Sequence, residues 1–140
     1  MDQLTLGSKM AKVFKTLGGK LSSSMNSEKL DISLEQYVVL EALHNQKSMI
    51  LQEMSDYLKK DKSTLLRVID ALESKKFVVR IPDSEDRRKK NLVLTKKGTD
   101  IYLKGLEIET GVCVRIMDGL SDQQLEEFSE IVDILQHNLK

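Results

Sequence analysis

The sequence predicts a mainly α-helical fold that carries one small β-hairpin. Three observations predict it. Apolar residues return at three- and four-residue steps along six separate stretches, which is the period of a helix with one buried face. Residues 77–95, FVVRIPDSEDRRKKNLVLT, break that period with two short β-prone runs around a charged loop. Finally, charge is unevenly placed. The 140 residues carry 22 Lys/Arg and 22 Asp/Glu, yet residues 59–97 hold 13 bases against 6 acids and the remainder holds 9 against 16. A basic block of +7 inside a neutral chain is the footprint of a phosphate-binding face, unless it is only a solvated surface.

The first stretch, residues 4–26, places Leu6, Met10, Phe14, Leu17, Leu21 and Met25 on one stripe widened by Val13, with Lys9, Lys12, Lys15 and Lys20 opposite. Gly18-Gly19 inside it predicts either a kink or a close neighbour, because each glycine costs a helix roughly 1 kcal/mol relative to Ala. A polar break follows. Ser33-Leu34-Glu35-Gln36 then forms a capping box, in which Ser and Gln satisfy each other's orphan backbone donors. The helix it opens is apolar on more than one side (Leu34, Tyr37, Val38, Val39, Leu40, Ala42, Leu43), so it is expected to be buried. Met49-Ile50 reads as a brief extended piece. The third helix has Leu51, Met54, Tyr57 and Leu58 at helical spacing, a poorly capped start, and Lys59-Lys60 at the negative end of its dipole.

Asp61 is the expected N-cap of the fourth helix. Leu65, Val68, Ile69 and Leu72 form its core face, which Leu66 and Ala71 widen, while Ser63, Thr64, Arg67 and Asp70 lie on another side. A short helix, a tight turn and a helix with a polar first turn make a helix-turn-helix. The hairpin comes next, with strands Phe77–Ile81 and Asn91–Thr95. Pro82, the one proline of the chain, lacks a ladder donor and closes the first strand. Helix-turn-helix followed by hairpin is a winged helix. Thr95 can cap the next helix, which carries Ile101, Tyr102, Leu106, Ile108, Val112, Ile116 and Met117. Gly105 and Gly111 weaken it, so packing must hold it, and Gly119-Leu120 ends it. Ser121-Asp122-Gln123-Gln124 is a second capping box. Leu125, Phe128, Ile131, Val132, Leu135 and Leu139 then form a seam able to pair with another helix.

The expected organisation is therefore residues 1–32 as an N-terminal dimerisation helix, 33–97 as a winged helix-turn-helix DNA-binding lobe, and 98–140 as C-terminal dimerisation helices. The first helix and the last two are expected to pair with each other and still leave apolar area exposed. A two-fold homodimer through these terminal helices is the simplest outlet. A single cysteine, Cys113, excludes an internal disulfide framework. It reads as a buried structural residue between Val112 and Val114, or as a redox sensor if its thiolate were activated. No apolar run of about 18 residues is present for a membrane span, and the N-terminus lacks a signal-peptide core; a cytoplasmic, membrane-independent protein is expected. His44 and His137 are isolated, so no metal is expected, and no cofactor either. No phosphate loop, nucleophile elbow or zincin motif is present, so an enzyme is not expected. Glu126, Glu127 and Glu130 read as a solvated helix face.

The stretch Asp83-Ser84-Glu85-Asp86-Arg87-Arg88-Lys89-Lys90-Asn91-Leu92-Val93-Leu94-Thr95, continued by Lys96-Lys97-Gly98, resembles the wing signature of the MarR family of bacterial transcriptional regulators. Upstream, Asp61-Lys62-Ser63-Thr64 with Arg67, Ile69, Leu72 and Glu73 resembles that family's recognition helix. Motif-level likeness covers roughly residues 33–98. Where the family usually has a Gly between recognition helix and wing, this chain has Lys76-Phe77. The resemblance implies a triangular winged-helix dimer on a pseudo-palindromic operator in double-stranded DNA. Such a protein usually acts as a repressor and is often released by a small aromatic or lipophilic effector.

Residue chemistry then suggests roles. Ser63, Thr64 and Arg67 suit the major groove: Arg67 can fork onto guanine O6 and N7, and the hydroxyls can reach bases or phosphates. Simple solvation of a first turn explains the two hydroxyls as well. Lys62 suits a phosphate. Arg88 suits minor-groove insertion, with Asp86 bracing it, unless the two are an ordinary hairpin ion pair. Arg87, Lys89 and Lys90 suit phosphates. Met10, Phe14, Tyr37 and Met54 can line an effector cleft, although core packing explains each of them too. A winged helix used only for protein interaction is the alternative function, and apolar residues on the recognition surface would mark it.

Overall fold

The computed structural model describes residues 3–140. Its elements run α1 (Gln3–Ser27), α2 (Leu34–Gln46), α3 (Leu51–Leu58), α4 (Lys62–Ser74), β1 (Val78–Pro82), β2 (Lys90–Leu94), α5 (Lys96–Ile116) and α6 (Asp122–Asn138). The chain forms two compact units, one ending at Glu109 and one starting at Thr110, so the division falls inside α5.

The first unit is built on a closed core. Leu40 of α2, Met54 of α3, Leu65, Ile69 and Leu72 of α4 and Val78 of β1 are all 0% exposed, each contributing about 1.5–3 kcal/mol by leaving water. Met25 of α1 and Tyr102 of α5 join the same cluster. The cap residues predicted from sequence set the helix starts. Gln36 N–H donates to Ser33 Oγ at 3.2 Å while Ser33 N–H donates to Gln36 Oε1 at 3.0 Å. Gly98 N–H donates to Thr95 Oγ1 at 2.9 Å, which opens α5. The start of α3 has no side-chain cap at Ile50, as its apolar sequence implied.

The hairpin is antiparallel, with Val78 opposite Leu94 and Pro82 opposite Lys90. Pro82 is the last residue of β1, where a missing donor does no harm. Met49 makes a bridge with Leu92, their amides and carbonyls pairing at 2.8 and 3.3 Å. The hairpin is thereby sewn to the connection between α2 and α3.

Several helix ends depart from the sequence expectation in one consistent way. Lys29, Lys59 and Lys76 take positive φ at positions where glycine is usual. Lys59 thus stops α3 by its backbone conformation and not only by its charge. At the end of α4, Lys76 has φ 65°, Lys76 N–H donates to Glu73 O and Phe77 N–H to Leu72 O, both at 2.9 Å. This is a Schellman motif with a lysine in the glycine's place, and Phe77 and Leu72 supply its apolar contact inside the core.

Two glycines are required by close approach. A Cβ on Gly98 would overlap the carbonyl oxygen of Phe77, and one on Gly105 would stand 2.7 Å from the Tyr37 ring. By contrast α1 runs unbroken through Gly18-Gly19, with Leu34 in ordinary contact over Gly18. The stripe on α1 is buried only at Leu21 and Met25, while Leu6, Val13 and Phe14 are exposed. In the second unit α6 begins with the predicted Ser121–Gln124 capping box. It buries no residue fully and leaves Phe128, Ile131, Ile134 and Leu139 open.

Candidate nucleic-acid interface

The turn before α4 is organised by Asp61. One carboxylate oxygen accepts from Thr64 N–H at 2.9 Å and from the Ser63 hydroxyl; the other accepts from the Thr64 hydroxyl at 2.7 Å. The Ser63 bond, then those of Thr64, hold the Asp61 carboxyl well below the usual carboxylate range. Beyond this cap, Lys62, Ser63, Leu66, Arg67 and Asp70 are exposed on α4 and Thr64 is half-buried. Ser63, Leu66, Arg67 and Asp70 follow the i, i+3, i+4, i+7 pattern of one helix face. Leu66, expected to widen the core face, is 40% exposed and belongs to this outer one. Arg67 makes no hydrogen bond or ion pair among the described residues.

The wing loop is built on two aspartates. Asp83 accepts from the backbone N–H of Glu85 and of Asp86, both at 3.1 Å, and from Asn91 Nδ2 at 3.0 Å. These bonds, Asn91 first, lower its pKa. Asp83 N–H also donates to Lys89 O at 2.9 Å, which closes the loop. Asp86 Oδ1 accepts from Arg88 N–H at 3.0 Å and from Arg88 Nε at 3.3 Å. The Arg88 side chain is nevertheless 91% exposed. So it is held at its root and free at its tip. Arg87, Lys89 and Lys90 are exposed around it.

Arg80 connects wing and helix. From β1 it ion-pairs with Asp70 and, at 3.4 Å, with Glu73, both on α4. Sequence reading missed it, and it missed Asp83 as well. Signals for both exist. Arg80 alternates with buried Val78 and so faces inward, opposite two acids one helical turn apart. Asp83 heads an Asx-type turn, where a short carboxylate caps the amides two residues on.

The four residues suggested for an effector cleft are placed differently. Tyr37 is 2% and Met54 0% exposed, both members of the core cluster, so these two are packing residues. Met10 is half-buried and Phe14 is exposed on α1. Tyr37 stacks on Tyr102 at 5.6 Å and its hydroxyl donates to Glu109. Burial, then Glu109, raises the Tyr37 pKa, and the same two causes raise that of Glu41. A cleft of about 340 Å³ lies elsewhere, between α3, α4 and the hairpin. Leu51, Leu66, Ile69 and Leu92 line it, with Arg80, Arg88, Lys89 and Lys90 at its edge. Cys113 is partly buried on α5. Among the described residues no three His, Cys, Asp or Glu are grouped to hold a metal, and no helix is long and apolar enough to cross a membrane.

A helix-turn-helix and a hairpin closed on one core, with the second helix and the wing loop carrying the exposed bases, define a winged-helix protein. Residues 32–90 match the family model of the MarR family. The chain is 26% identical over 119 residues to the uncharacterized HTH-type transcriptional regulator YybA of Bacillus subtilis (strain 168), covering 84% of this chain and 79% of that protein. Its fold is similar to that of a MarR transcriptional regulator from Methanosarcina mazei Go1 (TM-score 0.87, 24% identity, 97% of this chain and 96% of the other). It is also similar to a mutant MarR from E. coli in complex with operator DNA (TM-score 0.75, 20% identity, 96% and 99% covered).

Proposed function

We propose that this protein is a sequence-specific double-stranded-DNA-binding transcriptional regulator that works in the cytoplasm as a homodimer on a pseudo-palindromic operator and represses transcription there. The observation that carries this reading is the wing tip: an arginine 91% exposed, yet bound at its Nε by the aspartate two residues before it. Bracing reduces the rotamer entropy an arginine loses on entering a groove. The same carboxylate oxygen also accepts from Arg88 N–H at 3.0 Å, so Asp86 fixes both the backbone and the guanidinium at the tip. Arg88 therefore enters the minor groove, where a narrow wall-to-wall distance concentrates negative potential. Arg87, Lys89, Lys90 and Lys62 bind phosphates and fix the register. Arg67, exposed and with no side-chain partner among the described residues, forks onto a guanine in the major groove. Arg80 neutralises Asp70, which otherwise presents bare negative charge on the same face as Arg67. That a related MarR was captured with operator DNA supports the same use of the fold.

The exposed apolar residues of α1 and α6 support dimerisation, since a second copy is the partner always present at matching concentration. Two copies give two wings and two recognition helices, as a two-fold operator requires. Release by a small effector has a place to act in the cleft between α3, α4 and the hairpin. About 340 Å³ suits a small aromatic or lipophilic molecule, and an occupant there competes with DNA for Leu66, Arg88 and Lys90.

The test is a salt-dependent titration against the promoter upstream of the protein's own gene and against a scrambled duplex of equal length. Steep salt dependence with a specific-to-nonspecific ratio of about 1,000 or more is expected. Equal affinity for the two duplexes rejects the reading.

A further inference from the structure

We propose that the exposed face of α4 reads bases in a fixed chemical order: Ser63 and Thr64 act only as acceptors toward base amino groups, Leu66 takes a thymine methyl, and Arg67 donates. The inference rests on the DNA-binding reading above and supplies the chemistry of its discrimination.

A serine or threonine hydroxyl has one proton and two lone pairs. In this chain both protons are spent on Asp61: Ser63 Oγ donates to one carboxylate oxygen and Thr64 Oγ1 to the other at 2.7 Å. A carboxylate has nothing to return. Ser63, exposed on the outer face, therefore presents lone pairs alone, and the half-buried Thr64 beside it has only lone pairs left to offer. Withdrawing either proton breaks a charge-assisted bond and bares an anion at a surface that meets a polyanion. Asp61 stays ionised under these donors, so the arrangement holds at neutral pH. Phosphate oxygens and the carbonyls of guanine and thymine are themselves acceptors and are refused. What remains in the major groove is adenine N6–H or cytosine N4–H. The sequence expectation that these hydroxyls reach bases or phosphates narrows to base amino groups.

Leu66 carries the second step. A leucine 40% exposed between Ser63 and Arg67 on one face is poorly placed in water and well placed against a thymine C5-methyl, the apolar feature of the major groove. Arg67, all donors, then takes the acceptor edge that the hydroxyls refuse.

The experiment uses the full chain. A preferred duplex is selected from a randomised pool, and base analogues are placed in it one position at a time. Purine replaces adenine and pyrimidin-2-one replaces cytosine to delete an amino group; uracil replaces thymine to delete the methyl; analogues lacking guanine O6 or thymine O4 delete carbonyls. Wild type, Ser63→Ala/Thr64→Val and Leu66→Ala are titrated on each, with Ser63→Ala alone as the gentler variant and a thermal melt to confirm folding. Deleting an amino group at one or more positions is expected to cost wild type about five- to tenfold in affinity and the hydroxyl variants nothing there. Uracil is expected to cost wild type about fourfold and Leu66→Ala nothing at the same position. Coupling of the hydroxyls to a carbonyl deletion, or to no deletion, overturns the acceptor assignment; uracil substitutions that cost wild type and Leu66→Ala equally overturn the Leu66 step. If no sequence is selected from the pool, it is the DNA-binding reading itself that fails.

Discussion

The winged lobe and α6 meet the same hydrophobic demand in opposite ways. The lobe brings α2, α3, α4 and the hairpin onto one core and leaves Leu40, Met54, Leu65, Ile69, Leu72 and Val78 wholly inaccessible. α6 has a comparable run of large apolar residues and buries none of them fully; Phe128 is 43%, Ile131 51% and Ile134 59% exposed. Several elements packed on one core can enclose side chains, whereas a lone amphipathic helix needs a facing surface. The lobe's core is closed, with Met25 of α1 and Tyr102 of α5 completing it, whereas α6 is left open. The same contrast underlies the proposed function: the closed core holds the exposed face of α4 and the wing in shape, and the open face of α6 is where the proposed pairing of two copies would occur.

The comparison breaks first at the tightest point of the lobe. Gly98→Ala forces a methyl into the Phe77 carbonyl and is expected to cost about 3 kcal/mol, the upper end for overpacking, read from urea unfolding. An unchanged midpoint would mean that the junction of hairpin and α5 is loose. Next comes the open side. Phe128→Asp with Ile131→Asp is expected to leave the melting temperature of the lobe near wild type while converting dimer to monomer in sedimentation. Operator affinity should fall on the order of 100-fold as the second reading head is lost. A third, smaller effect separates the bases of the wing. Arg88→Ala should weaken operator binding about tenfold, as for a lost groove contact, and Lys90→Ala about threefold, as for one phosphate. Equal losses at fixed salt would argue against insertion of Arg88. A modest effect of opposite sign is expected for Lys76→Gly. Relieving φ 65° at the end of α4 should raise stability by about 1 kcal/mol, and a loss would show that the lysine side chain matters more than its backbone.

Much of this was legible in the chain. Both capping boxes, Asp61 and Thr95 mark helix starts by local chemistry, and the helix period and the Val-rich run before Pro82 need no tertiary knowledge. The Asp86–Arg88 brace is two residues long and equally local. What escaped is what depends on elements meeting. Arg80 pairs with acids ten and seven residues away on another element; its place two residues from Val78 turns it inward, but only the fold supplies the partners. The positive φ of Lys76 is imposed by Phe77 reaching back to the core. Periodicity placed Leu66 beside the core face, but the core is narrower than the apolar stripe, so Leu66 is left outside. Tyr37 and Met54 lie in the core cluster, where packing, the reading the sequence left open beside a cleft, accounts for them; spacing cannot tell a side chain that lines a cavity from one that fills it. The hydroxyls of Ser63 and Thr64 were rightly placed in the first turn, yet their protons point at Asp61, a detail only the geometry gives.

Whether an open pairing helix makes the closed lobe useful is read most directly from the mass of the complex. Native mass spectrometry of the full chain with one copy of its selected duplex should show two chains per duplex, and one chain per duplex for Phe128→Asp/Ile131→Asp at raised concentration. A single wild-type chain on the intact two-fold duplex, bound as tightly as the wild-type titration requires, would contradict that pairing.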